Sequence, residues 1–221
     1  MAEIKIDRAI LEYEVETSNS DTHNATQYIA VVGARDVQGH IMIPPEIDGL
    51  SVKRIGGLAF AGCNGLTGVT IPGSVGWISE SAFAYSKKLA FVKIPTSVKG
   101  IGECAFAGCE RLWSVDIPEG VMWVGISAFI MCFGLVRVTI PSTLERIPGW
   151  AFSDCRSLSY VKISPGVREI AVEAFSDCIR LQNIIIPDSM ESIGRCAFSG
   201  CSRLATVSLP RHLRPCFKQA F

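Results

Sequence analysis

The amino-acid sequence predicts a solenoid, a stack of short coils that is mostly β with few or short helices and carries a parallel sheet along one side. Two observations predict it. The dipeptide Ala-Phe occurs at 59, 82, 105, 128, 151, 174, 197 and 220, always 23 residues apart, and a fixed period of this length marks a stacked repeat. Within each period the same apolar positions return, in the frame A-F-x-x-C-x-x-L-x-x-V-x-I-P-x-x-V-x-x-I. The 20 glycines and 11 prolines are spread evenly, which suits many turns rather than long helices.

Each part of the frame has a physical reading. The segment V-x-I alternates, so its apolar residues face one way and the intervening residues the other, as in a strand. Proline then ends the strand because it lacks the N–H that the ladder needs. The stretch V-x-x-I-x-x-x-A-F carries the chain back to the next coil. One coil cannot bury its own apolar face, but stacked coils can. Roughly eight coils at about 4.8 Å each make a body about 40 Å long.

Residues 1–40 differ from the repeats. "ILEYEVET" and "QYIAVVGA" both alternate, and polar "SNSDTHNAT" separates them. They read as a β-hairpin with a long loop, placed to cap the exposed end of the stack. Residues 41–58 read as an irregular first repeat with five extra residues between its Ile-Pro and the next Ala-Phe. Residues 59–221 hold seven 23-residue repeats and the start of an eighth. The last copy is degenerate, with Pro215 and Cys216 where the frame has x-I, so it reads either as a worn terminal repeat or as a sign that the natural protein extends beyond Phe221.

Composition excludes some classes of function. Lysine plus arginine and aspartate plus glutamate number 21 each, so no bulk charge attracts nucleic acid or acidic lipid. The N-terminal "MAEIKIDRAILEYEVE" has charges every few residues and no apolar core of a signal peptide. The uncharged run "VMWVGISAFIMCFGLV", residues 121–136, is shorter than a membrane span and stays in register with charged copies. No transmembrane segment is expected.

Chemistry is sparse. Six of the nine cysteines, Cys63, Cys109, Cys132, Cys155, Cys178 and Cys201, share one repeat position. They read as a ladder of buried thiols, one per coil. Cys104 with Cys109 and Cys196 with Cys201 are each five apart and leave a local disulfide open, and Cys216 is an odd ninth thiol. No C-x-x-C pair offers zinc spacing. His23, His40 and His212 lie in unrelated places, and no H-E-x-x-H, G-x-S-x-G or phosphate loop occurs. Asn24-Ala25-Thr26 is a glycosylation sequon that matters only in a eukaryotic secretory host. Neither an enzyme nor a cofactor is expected.

The frame, together with the Y-x-V hairpin and "IPPEIDGLSVKRIG", resembles the BspA-like leucine-rich repeats, also called the Treponema pallidum type. The likeness runs from about residue 10 to 221. Ser86 in the cysteine place and "ISPG" in the fifth copy depart from the pattern. The resemblance implies a leucine-rich-repeat solenoid of the α/β horseshoe class, a secreted or cell-surface location, and adhesion or protein binding without catalysis.

The resemblance also implies that the parallel sheet lines the concave side and that a partner would sit there, on the outward residues either side of the repeat valine. One set reads Gly68, Phe91, Ser114, Arg137, Tyr160, Asn183 and Thr206, and the other Thr70, Lys93, Asp116, Thr139, Lys162, Ile185 and Ser208. Either these vary because nothing constrains them, or they form a patch centred on Phe91, Arg137 and Tyr160, with Lys93, Trp113, Asp116 and Lys162 beside it. A protein ligand is expected there, with a glycan as the alternative and a structural spacer of a longer surface protein as the third reading. A second candidate lies in 121–136. Met122, Trp123, Ile126, Ile130, Met131 and Phe133 are apolar off the frame. They read as local infill, or as an apolar patch for a partner or a second copy of this chain, with Trp123, Met131 and Phe133 as its main residues.

Overall fold

A computed structural model describes residues 1–6, 9–18, 26–215 and 217–221. The valine-centred segments form a first row of strands: Gly39–Met42, Leu66–Thr70, Phe91–Lys93, Ser114–Asp116, Arg137–Ile140, Tyr160–Ile163, Asn183–Ile185 and Thr206–Ser208. Pairing within the row is parallel and in step with the repeat. Gly68 sits opposite Phe91, and Ser114, Arg137 and Tyr160 form one rung. The inward residues Val92, Val115, Val138 and Val161 are buried, as are the leucines before them. The proline stop also holds: where Ser164 replaces proline, its N–H donates to Ile140 O at 3.1 Å, a bond proline cannot make.

The sequence pointed to one line of strands, and the structure has two. The V-x-x-I segments pair in parallel as a second row: Leu50–Ile55, Trp77–Ile78, Gly100–Ile101, Trp123–Val124, Arg146–Ile147, Glu169–Ile170 and Ser192–Ile193. Most are two residues long, too short for alternation to show. A third line of backbone bonds runs through the Ala-Phe turns. Phe83 N–H donates to Ala105 O, Phe106 to Ala128 O and Phe129 to Ala151 O, at 2.7–2.9 Å. Coils are thus tied along three lines, although strand pairing lapses in the first row between Phe91–Lys93 and Ser114–Asp116 and between Tyr160–Ile163 and Asn183–Ile185, and in the second between Trp123–Val124 and Arg146–Ile147.

These turns use left-handed backbone twice per coil. The residue before each alanine from Ala59 to Ala197 has positive φ, as at Ser81, Cys104, Ser127 and Trp150. So does the residue three after it, which is Gly62, Gly108 or Gly200 in some copies, Asp154 or Asp177 in others, and Tyr85 or Met131 in two. Glycine and aspartate suit this conformation; a bulky side chain is strained in it.

Along the interior runs a column of seven phenylalanines, Phe60, Phe83, Phe106, Phe129, Phe152, Phe175 and Phe198. Successive rings stack with centroids 5.0–5.7 Å apart and planes within 10°. All seven are essentially inaccessible to solvent. At the C-terminal end Phe217 and Phe221 tilt onto Phe198, both at 6.3 Å, from the last 3-10 turn, Phe217–Ala220, and the residue after it.

The cysteine position lies beside this column. Cys109, Cys132, Cys155 and Cys178 are buried, and each thiol donates to the carbonyl of a phenylalanine in the preceding coil at 3.2–3.3 Å. Ser86 makes the same contact to Phe60 O at 2.6 Å, which is why serine is tolerated there. Burial pushes the Cys132 thiol up to about 12 and holds those of Cys109 and Cys155 well above the ordinary range, so these thiols are unreactive. All eight described cysteines are free, and neither Cys104–Cys109 nor Cys196–Cys201 is bridged. A thiol reagent is therefore expected to label the half-buried Cys63, Cys104 and Cys196 in the native chain and to spare Cys109, Cys132, Cys155 and Cys178. After denaturation without reductant all of them should react. Loss of thiols in the denatured sample would contradict the ladder.

The expected β-hairpin is present, and one further N-terminal strand makes the cap a three-stranded antiparallel meander. Ala2–Ile6 pairs with Ala9–Ser18, which pairs with Thr26–Arg35. The last strand then pairs in parallel with Leu50–Ile55, so the cap extends the second row. Gly39–Met42 pairs with Leu66–Thr70, which hands residues 39 and 40 to the first coil. Arg54 fixes the junction by binding Glu16, and the Tyr13 hydroxyl donates to Asp48. Burial works to raise the Glu16 carboxyl, but Arg54 and Tyr28 outweigh it and hold the group below the ordinary carboxylate range. The five extra residues of the first coil are a tight hairpin. Glu46–Ile47 pairs with Leu50–Ser51 around Asp48 and Gly49, both at positive φ, as an Asp-Gly turn requires. Of the predicted loop over 18–26, Ser18 and Thr26 end the two strands, and residues 19–25, with His23 and the Asn24-Ala25 of the sequon, lie outside the described residues, as does Cys216.

Candidate functional site

On the first row the pleat turns the residues flanking each inward valine to solvent. Phe91, Trp113 and Tyr160 are 43%, 51% and 53% exposed, and Lys93, Asp116, Arg137 and Lys162 are exposed with them. Register brings these residues together. Ser114, Arg137 and Tyr160 share a rung, and so do Asp116, Thr139 and Lys162. Phe91, Lys93, Trp113 and Asp116 line a shallow cavity of about 210 Å³. Three aromatic rings, an arginine and charges of both signs therefore stand on neighbouring coils of one row, Phe91 and Lys93 at the edge of one sheet and the others on or beside the next sheet.

The stretch 121–136 is divided between two places. Met122, Trp123 and Ile126 are 63%, 46% and 47% exposed and line one wall of a cavity of about 580 Å³ on the second row. Ile130, Met131 and Phe133 are half-buried, past the Ala128-Phe129 turn. They are not among the residues lining that cavity, and Arg156 lies over the Phe133 ring at 5.0 Å. So the structure groups Trp123 with Met122 and Ile126, and leaves Met131 and Phe133 elsewhere.

Sequence reasoning missed two residues of this cavity region. Trp77 stacks on Trp123, with centroids 5.6 Å apart and planes 12° apart. Between them in the row stands Gly100, whose missing side chain makes room: a Cβ there would lie 2.2 Å from the Trp77 ring. Trp150 also lines the cavity, at φ 54°, and its indole N–H donates to Glu173 at 3.0 Å. A signal existed, since Trp77, Gly100 and Trp123 hold equivalent positions in three successive copies.

Two histidines have structural partners. A ring nitrogen of His40 is 2.9 Å from Thr70 Oγ1, and one of His212 is 2.8 Å from Met190 O. Among the described residues no group of three His, Cys, Asp or Glu is placed to hold a metal ion, and no helix is long and apolar enough to cross a membrane.

The BspA type leucine rich repeat region matches residues 45–158 and 124–221, in six copies. The chain belongs to the BspA-type leucine-rich-repeat family. Solved structures agree with its fold. A leucine-rich-repeat protein of T. pallidum is similar with a TM-score of 0.80 at 28% identity, over 94% of this chain and 92% of that one. A leucine-rich cell-surface protein of Faecalibacterium prausnitzii gives 0.77 at 29%, over 94% of this chain and 54% of its own. One from Bacteroides ovatus gives 0.56 at 29%, over 94% and 65%. No curated protein matches the chain. In this BspA-type chain, as the sequence led us to expect, the regular elements of the coils are short β-strands, with two short 3-10 turns besides among the described residues.

Proposed function

We propose that this BspA-type chain is a non-catalytic module that binds another protein through the outward side of its first row. One observation carries the reading: Phe91, Trp113, Arg137 and Tyr160 stand exposed on successive coils while the frame beneath them is buried. Water-exposed aromatic rings and arginine on a rigid surface are the usual anchors of a protein interface. The surface is preorganised, because strands packed on a buried frame have little freedom left to lose on binding. Lys93, Asp116 and Lys162 supply charges that set orientation and exclude wrong partners. The similarity to a cell-surface protein of F. prausnitzii supports an adhesive role outside the cell.

A photo-reactive phenylalanine analogue at Ser114, between Phe91 and Arg137, is expected to cross-link protein partners. A variant carrying Phe91→Ser, Trp113→Ser, Arg137→Ser and Tyr160→Ser is expected to lose capture while remaining folded. Capture that survives these four changes would remove the first row from the account. A glycan-array signal that the same changes abolish would replace the protein partner with a sugar. Absence of both signals from the wild type would leave the spacer reading.

A further inference from the structure

The second row carries a different surface. The cavity of about 580 Å³ beside Trp123 is in the size range of ligand sites. Its walls include Met122, Trp123, Ile126, Leu144, Trp150 and Val172. A neighbouring cavity of about 360 Å³ shares Trp123 and Glu103 with it and adds Trp77, Glu80 and Arg54. Together they make a groove across successive coils, with the stacked Trp77 and Trp123 at its centre.

The charge of this groove is one-sided. Arg146 is paired with Glu169 at 3.3 Å, and Arg54 is bound to Glu16. Glu80, Glu103 and Glu145 are exposed and have no ion pair among the described residues. The groove thus presents free carboxylates next to aromatic rings and an apolar cavity, while both of its arginines are engaged.

We propose that this groove docks a basic peptide segment, with an apolar side chain seated beside Trp123 and flanking lysine or arginine cations set against Glu103, Glu145 and Glu80. Charge complementarity selects this occupant. A cation meets the free carboxylates and also gains from the faces of Trp77 and Trp123, whereas a neutral sugar leaves three negative charges uncompensated. The site is separate from the first-row face, and neither reading depends on the other.

Fluorescence anisotropy tests it with three labelled probes: a short peptide with phenylalanine between lysines and arginines, its counterpart with glutamates in place of the cations, and the neutral oligosaccharide cellohexaose. The basic peptide is expected to bind, and more weakly as salt rises. Glu103→Gln with Glu145→Gln is expected to weaken it about tenfold, and Trp123→Ala by a similar factor. Met122→Ser, a smaller change, is expected to weaken it less and guards against a Trp123→Ala chain that fails to fold. No binding of the basic peptide, equal binding of the acidic one, or binding unaffected by the glutamate changes overturns the proposal. Preference for cellohexaose does so in favour of a sugar. Sedimentation that shows dimers dissociating on Trp123→Ala does so in favour of a second copy of this chain.

Discussion

Replacing Phe129 with alanine is expected to lower folding stability by about 3–5 kcal/mol, the range for a buried phenylalanine. Phe129 is the middle of the column, with Phe106 at 5.2 Å on one side and Phe152 at 5.4 Å on the other, and no solvent contact. The cavity cannot close easily, because backbone bonds from Phe106 to Ala128 and from Phe129 to Ala151 set the spacing of the coils. The loss should also be local. Coils contact only their neighbours, so hydrogen exchange should quicken over the coils around Phe106, Phe129 and Phe152 before it does at the cap. A uniform loss of protection along the chain would argue for a single globular core.

Gly125→Ala is expected to destabilise by about 1–3 kcal/mol through overpacking. A Cβ on Gly125 would lie 2.3 Å from the backbone nitrogen of Glu103, and one on Gly102 would lie 2.4 Å from that of Glu80. Backbone cannot swing aside as a long side chain can, so the coils must part. Gly73, with nothing near its virtual Cβ, is the control, and Gly73→Ala should change stability little. Equal melting curves for the two variants would show that the coil spacing at Gly125 is looser than described.

The first row was legible because its physics repeats: one strand, one proline stop and one buried cysteine recur in register with Ala-Phe. The second row was not, since a two-residue strand such as Arg146–Ile147 has no alternation to read. Ala2–Ile6 was missed because its charged, alternating sequence resembles a solvated tail until a partner strand is known. The Asp48-Gly49 hairpin carried a turn signal that the search for a 23-residue period passed over. The left-handed residue before each alanine is Leu, Ser, Cys, Trp or Glu, so no side-chain preference announces it; the coil geometry imposes it. For the binding faces, the register placed Phe91, Arg137 and Tyr160 on one side from the sequence alone. Which apolar residues of 121–136 share a surface depends on where the turns point, and that required coordinates.

The chain divides into frame residues that make the fold and outward residues that the stacking of the coils does not use. The direct test is the unfolding free energy of the variant carrying Phe91→Ser, Trp113→Ser, Arg137→Ser and Tyr160→Ser. The division predicts a cost of about 0.5 kcal/mol or less per site, the ordinary scale for surface changes, and an unaltered denaturant slope. A loss as large as that of Phe129→Ala would contradict it, because the four side chains would then belong to the core that stacks the coils.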